Sequence, residues 1–158
     1  MVNRELSKAE WLDKCEAYCA KSEHCAADVR RKLYEWQAPA DLADEIVESL
    51  YQNDFLNDAR FCHAYVHDKV EYQSWGRMKI QAGLRALDLP DSNIREALAA
   101  IDESVYIKNL RGLIASRKSD PEDKRLRFLA QRGFTYEEIS KCSDGHRLFT
   151  IKQHYSNQ

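Results

Sequence analysis

The chain has 158 residues, 44% apolar and 32% charged, enough for one ordinary domain or a short array of repeats. Five glycines and three prolines are too few for an all-β fold of many hairpins, and a formal net charge of −2 excludes a globally basic protein, so any nucleic-acid contact must come from a local patch. No apolar run approaches the roughly 18–20 residues that span a bilayer, MVNRELSKAEW lacks the apolar centre of a signal peptide, and five cysteines do not fit a paired disulfide framework; the expectation is a cytoplasmic chain with reduced thiols.

Apolar residues recur at helical spacing along the chain. Helices are predicted over 8–21, 25–36 and 40–51, with Val29, Leu33 and Trp36 as the stripe of the second. The next run is 58–72, where Phe55, Ala59, Cys62, Val66 and Val70 share one face. It is followed by 76–87, carried by Ile80, Leu84 and Leu87, and by 91–101. The last three are 104–117, marked by Ile107, Leu110 and Ile114, then 121–132 and 136–142. No convincing period-2 segment is present. The tail, 143–158, is polar with isolated apolar residues and is expected to fray or pack loosely.

One corner is written three times. Leu33, Leu84 and Leu129 are each followed five positions on by an apolar residue (Ala38, Leu89, Phe134). Pro39, Pro90 or Thr135 comes next, and four positions later stands Ala43, Ile94 or Ile139. The leucines are about 51 and about 45 residues apart, a period in the range of helical repeats. Gly133 suits the left-handed residue after a helix; Gln37 and Asp88 occupy the same slot and are poorer caps. Thr135 with Glu138 has the form of a capping box, and Pro39 and Pro90 suit a helix start. The expected fold is all-α: three tandem three-helix repeats (1–53, 54–102, 103–142) forming an elongated, curved array. Units this small bury little alone and lean on their neighbours.

Four segments carry a resemblance: CAADVRRKLYEW (25–36), FLNDARFCHAYVHDK (55–69), WGRMKIQAGLRALDLP (75–90) and LRFLAQRGFTYEEI (126–139). In that order they resemble the RecX family of regulators of the RecA recombinase, across nearly the whole chain. The family commonly has two acidic residues where this chain has Asn57 and Asp58. It has a Lys-Gly-apolar corner where this chain has Trp36-Gln37-Ala38 and Leu87-Asp88-Leu89. The resemblance implies three tandem three-helix repeats that bind the RecA–DNA filament along its groove. It also implies inhibition of ATP hydrolysis, strand exchange and filament growth, with direct DNA affinity as a secondary property.

Arg77, Gln81 and Arg85 stand at i, i+4 and i+8, one long helix face, with Lys79 on a different side. This stripe reads either as a solvated surface or as a contact for acidic filament residues or phosphates. Lys124, Arg125, Arg127 and Arg132, with Phe128 taken as an exposed aromatic, form a candidate DNA contact. Asp120, Glu122 and Asp123 weaken its field. Phe61 and Tyr65 read as packing, Asp58 as a helix cap or dipole partner, and Gly76 as the residue of a tight turn covered by Trp75. With the corner leucines and Gly133 these are structural expectations. Cys15, Cys19 and Cys25 invite a zinc reading, but no C-x-x-C pair exists and buried thiols are expected. No cofactor, metal or catalytic motif is legible. The expected partner is the RecA filament, with single- or double-stranded DNA a further candidate, no membrane, and a monomeric chain. The alternative function is a free-standing DNA-binding helical protein acting without RecA.

Overall fold

The computed structural model describes residues 4–143; the tail expectation for 144–158 lies outside the described residues. These form nine α-helices and no strand among the described residues: α1 Lys8–Lys21, α2 Ala26–Glu35, α3 Ala43–Gln52, α4 Asp58–Glu71, α5 Arg77–Ala86, α6 Asp91–Ala99, α7 Glu103–Ser116, α8 Glu122–Gln131 and α9 Tyr136–Cys142. The chain is an all-α helical repeat array. The helix predicted from residue 40 differs in its first turn. Ala40–Leu42 is 3-10, because the Leu42 N–H donates to the Pro39 carbonyl three residues back before the wider α-helical pattern begins.

The three corners share one hydrogen-bond pattern. Gln37 (φ 60°), Asp88 (φ 60°) and Gly133 (φ 98°) all enter the left-handed region. Ala38, Leu89 and Phe134 then donate to the carbonyls of Leu33, Leu84 and Leu129 at 2.9, 3.3 and 3.1 Å. Gln37, Asp88 and Gly133 donate to Tyr34, Arg85 and Ala130. Each corner is therefore a Schellman motif. The aligned leucines supply the carbonyl three residues inside the helix end, and the apolar residue five positions on is the one that packs back over it.

The buried side chains fall into three clusters. The first joins Trp11, Cys15 and Cys19 of α1 to Val29 and Leu33 of α2, Ile46, Val47 and Leu50 of α3, and Leu56. The second joins Phe61, Cys62, Val66 and Val70 of α4 to Ile80 and Leu84 of α5, Ile94 and Ala97 of α6, Leu89, and Cys25. The third joins Tyr106 and Leu110 of α7 to Leu129, Phe134 and Ile139. Leu56 thus lies in the first cluster although it follows α3, and Cys25 lies in the second although it precedes α2. Ile101 touches both the second and third clusters, and the Asn109 side-chain amide donates to the Val70 carbonyl at 2.8 Å. These contacts fix α7 across α4.

Candidate functional site

The candidate surface is built around the start of α5. That helix has no side-chain cap at its N-terminus, so its first N–H groups need partners from elsewhere. Residues of the third unit supply them. Gly76 N–H donates to the Arg132 carbonyl at 2.7 Å, and Met78 N–H to the Gly133 carbonyl at 3.1 Å. Arg77 N–H donates to the Tyr106 hydroxyl at 3.0 Å. The approach is backbone to backbone. A Cβ on Gly76 would collide with the Gly133 carbonyl and stand 2.5 Å from the Phe134 nitrogen. A Cβ on Gly133 would stand 2.5 Å from Lys79 Cβ. Gly76 has φ −80°, open to any residue, so the tight-turn reading gives way to one of space.

Arg77 belongs to this joint. Its guanidinium pairs with Glu103 and with Glu138 at 3.2 Å, and lies over the Tyr106 ring at 4.1 Å. Burial opposes its charge, but Glu103, Tyr106 and Glu138 outweigh that and hold its pKa above the usual arginine range. Glu138 also accepts the Thr135 N–H at 2.9 Å in the capping box of α9. Tyr106 is 1% exposed. Burial, then its hydrogen bond to Glu138, pushes its phenol above the ordinary tyrosine value.

The stripe along α5 is thereby divided. Arg77 is consumed within the molecule and Gln81 is half-buried. Arg85 is exposed and pairs with Asp91 at 3.3 Å. Lys79, on a different side of the helix, reaches the indole of Trp75, where its Nζ stands 4.2 Å from the ring centroid. Lys69 of α4 reaches the same indole at 4.5 Å. The α5 stripe alone omits Lys69 and Trp75, although the spacing Lys69-x5-Trp75-x3-Lys79 marks a local basic–aromatic cluster across the α4–α5 turn.

Two of the four cations in the second basic cluster meet acids close by in sequence. Lys124 stands 4.0 Å from Asp120 and Arg127 3.5 Å from Asp123. Arg125 lines a cleft of about 610 Å³ with Lys118, Leu126 and Cys142. Arg132 donates to the Gln73 carbonyl, tying the third unit to the α4–α5 turn. Phe128 is half-buried, with the Arg117 guanidinium 3.9 Å over its ring. The expectation of an exposed aromatic fails because α7 delivers Arg117 onto it.

Around α4, Asn57 rather than Asp58 is the cap, accepting the Arg60 N–H at 2.8 Å. Asp58 instead accepts the Tyr51 hydroxyl at 2.7 Å, a bond from α3 to α4. Phe61 is buried, and the Tyr65 hydroxyl occupies the space that a Cβ on Gly83 would need. Cys15 and Cys19 lie in the first core and Cys25 and Cys62 in the second. Burial pushes these four thiols up to about 11. Among the described residues no three His, Cys, Asp or Glu side chains group to hold a metal ion, and no helix is long and apolar enough to cross a membrane.

Comparison with known proteins adds relatives. A family model described as "RecX, second three-helix domain" matches residues 57–98. A protein of Pseudomonas entomophila named "Regulatory protein RecX" is 30% identical over 139 residues, covering 82% of this chain and 87% of the relative. One of the same name from Clostridium acetobutylicum is 28% identical over 126 residues, covering 72% of this chain but 58% of the relative. A crystal structure of a regulatory protein RecX superposes over 91% of this chain and 81% of its own, with a TM-score of 0.70 at 20% identity. That likeness shows the fold.

Proposed function

Because this chain belongs to the RecX family, we propose that it binds the RecA–DNA filament and modulates it, mainly by inhibiting ATP hydrolysis, strand exchange and filament growth in recombinational repair and the SOS response. The observation that carries this reading is the likeness to a RecX protein over 82% of the chain. The reading takes 1–53, 54–102 and 103–142 as the three repeats of a cytoplasmic monomer. On α5 the side chains offered to the filament are Gln81, Arg85 and the nearby Lys79. Arg77 acts from within, by fixing the third unit against the second. Contacts of this kind weaken with salt.

The test is ATP hydrolysis by RecA on single-stranded DNA with the protein added. Inhibition that saturates is expected. An unchanged rate at excess protein in moderate salt rejects the reading. Gln81→Ala with Arg85→Ala should shift the inhibition curve to higher protein at unchanged helicity. An unshifted curve removes that face from the interface.

A further inference from the structure

We infer that the groove between α7 and α8 is a docking site for an amphipathic acidic helix of a partner protein, separate from the filament reading. The groove has a volume of about 610 Å³, within the roughly 300–1,000 Å³ of built binding sites. Arg111 and Ile114 line it from α7 and Lys118 from the turn that follows, while Arg125, Leu126 and Leu129 line it from α8. From Glu122 to Leu129 the α8 wall runs about 10 Å, about two turns of helix. Aliphatic side chains form the floor, and cations stand on both rims.

The repeat pattern explains why this groove stands open. In the corner alignment Cys142 takes the place of Ile46 in α3 and of Ala97 in α6. Those two are 0% and 1% exposed, whereas Cys142 is half-exposed. α3 and α6 have ten and nine residues, but α9 has seven and covers less of the helix pair beneath it. Ile114 and Leu126 are left half-buried. In the first two units the third helix packs on both earlier helices, so the ground left bare in the third is shaped for a helix. Helix-in-groove recognition uses that shape, with apolar anchors at i, i+3, i+4 and i+7.

Charge says which helix fits. Residues 103–143 carry nine Lys and Arg against six Asp and Glu, whereas residues 1–102 carry thirteen against nineteen. Arg117, Lys124 and Arg127 have acidic partners; among the described residues the three cations that line the groove, Arg111, Lys118 and Arg125, form no ion pair. Two acids share its wall. Asp120 is held by Arg117 at 3.6 Å and Lys124 at 4.0 Å, and Glu122 stands in the first turn of α8, where it offsets the helix dipole. Unpaired guanidinium and ammonium groups at the rim suit carboxylates on the flanks of an incoming helix. No aromatic side chain lines the groove among the described residues, so an unpaired base would find nothing to stack on. An acidic amphipathic helix accounts for both the cations and the aliphatic floor.

The experiment is fluorescence anisotropy, without RecA, of a labelled peptide of about 14 residues, about four turns of helix, with Leu at i, i+3, i+4 and i+7 and Glu at most other positions. Saturable binding that weakens with salt is expected. A scrambled peptide of the same composition, which lacks the apolar face, should bind at least about tenfold more weakly. Arg111→Glu with Arg125→Glu should lower affinity at least about tenfold, and Lys124→Glu with Arg127→Glu, the same change in net charge, no more than about threefold. Ala115 is exposed on the α7 wall, and Ala115→Trp should block the groove and cost about tenfold. Bound peptide should also protect the Cys142 thiol from a chromogenic reagent. Far-UV circular dichroism checks that every variant keeps its helices. Four results overturn the site: no saturable binding in low salt, equal binding of the scrambled peptide, an equal loss in the Lys124/Arg127 variant, or a neutral Ala115→Trp. A synthetic peptide of residues 144–158 that competes as well as the acidic one would overturn it too, by assigning the groove to the chain's own end. With no RecA present, failure here leaves the filament reading standing.

Discussion

Gly76→Ala tests the joint between the second and third units. The added Cβ would collide with backbone atoms of Gly133 and stand 2.5 Å from the Phe134 nitrogen. Neither partner is a side chain that can swing away. Relief requires drawing the start of α5 off the corner, which breaks the bonds from Gly76 to Arg132 and from Met78 to Gly133 and loosens that from Arg77 to Tyr106. At about 1 kcal/mol net for each bond the loss is about 2–3 kcal/mol. Staying in place as an overpacked contact costs about 1–3 kcal/mol. Reduced freedom of the unfolded chain returns about 0.4–1 kcal/mol, leaving a net destabilisation of about 2 kcal/mol. In urea, with a slope of about 2 kcal/mol/M for a protein of this size, the midpoint should fall by about 1 M. Amide exchange should show Met78 losing protection. Gly112→Ala is the contrast. Gly112 lies within α7, and its added Cβ meets nothing within 4 Å, so that change should stabilise by up to about 1 kcal/mol. A Gly76→Ala protein with its midpoint within about 0.2 M of the original and a protected Met78 amide would refute the reasoning.

Arg77→Ala removes the two carboxylate pairings and the Tyr106 contact, and should destabilise by about 2 kcal/mol in urea unfolding; a loss below about 0.5 kcal/mol would mean the pairs are solvent-screened ornaments. Tyr106 has a folded pKa raised above its unfolded value. Its contribution is therefore full below the ordinary tyrosine pKa of about 10 and is lost as pH rises beyond it. Stability should fall at alkaline pH, and Tyr106→Phe should lessen that fall, as read by midpoints at pH 8 and about 11. Among the thiols, Cys142 is half-exposed and the other four are buried, so a thiol-specific chromogenic reagent at pH 8 should modify one cysteine quickly and the rest only on unfolding; two or more fast thiols would contradict the burial.

The helices were legible because their periodicity is local, and so were the corners. The alignment of Leu33, Leu84 and Leu129 marks the three helix corners, and Gly133 marks the left-handed residue of the third. Gln37 and Asp88 fall in the glycine slot of that alignment as poorer caps, and the structure gives both the left-handed conformation. The joint was not legible. Gly76 and Gly133 are far apart in sequence, and no local pattern says that two backbones will touch. Arg77 looked like part of an outward stripe because helical spacing sets its angle on α5 but not what α7 and α9 bring to meet it. Phe128 failed for the same reason, covered by Arg117 from another helix. Of the two readings of Asp58, the structure keeps the dipole partner in the first turn of α4 and gives the cap to Asn57, since both residue types cap helices and only the backbone angles decide which does.

The exchange of Leu56 and Cys25 between the first two cores carries a consequence for how the array comes apart. Leu56 is 2% exposed, so withdrawing it from the first core forfeits about 1.5–3 kcal/mol of burial. Cys25 makes the reciprocal demand on the second. A fragment cut at residue 53 would leave the first core without its last member, and one begun at residue 54 would leave the second without a thiol at its floor. Repeat proteins share stability between each unit's own free energy and the coupling across each interface. Here that coupling is a crossed packing, Leu56 in the first core and Cys25 in the second. The first two units should therefore melt in one cooperative step, and neither should hold its fold when expressed without the other.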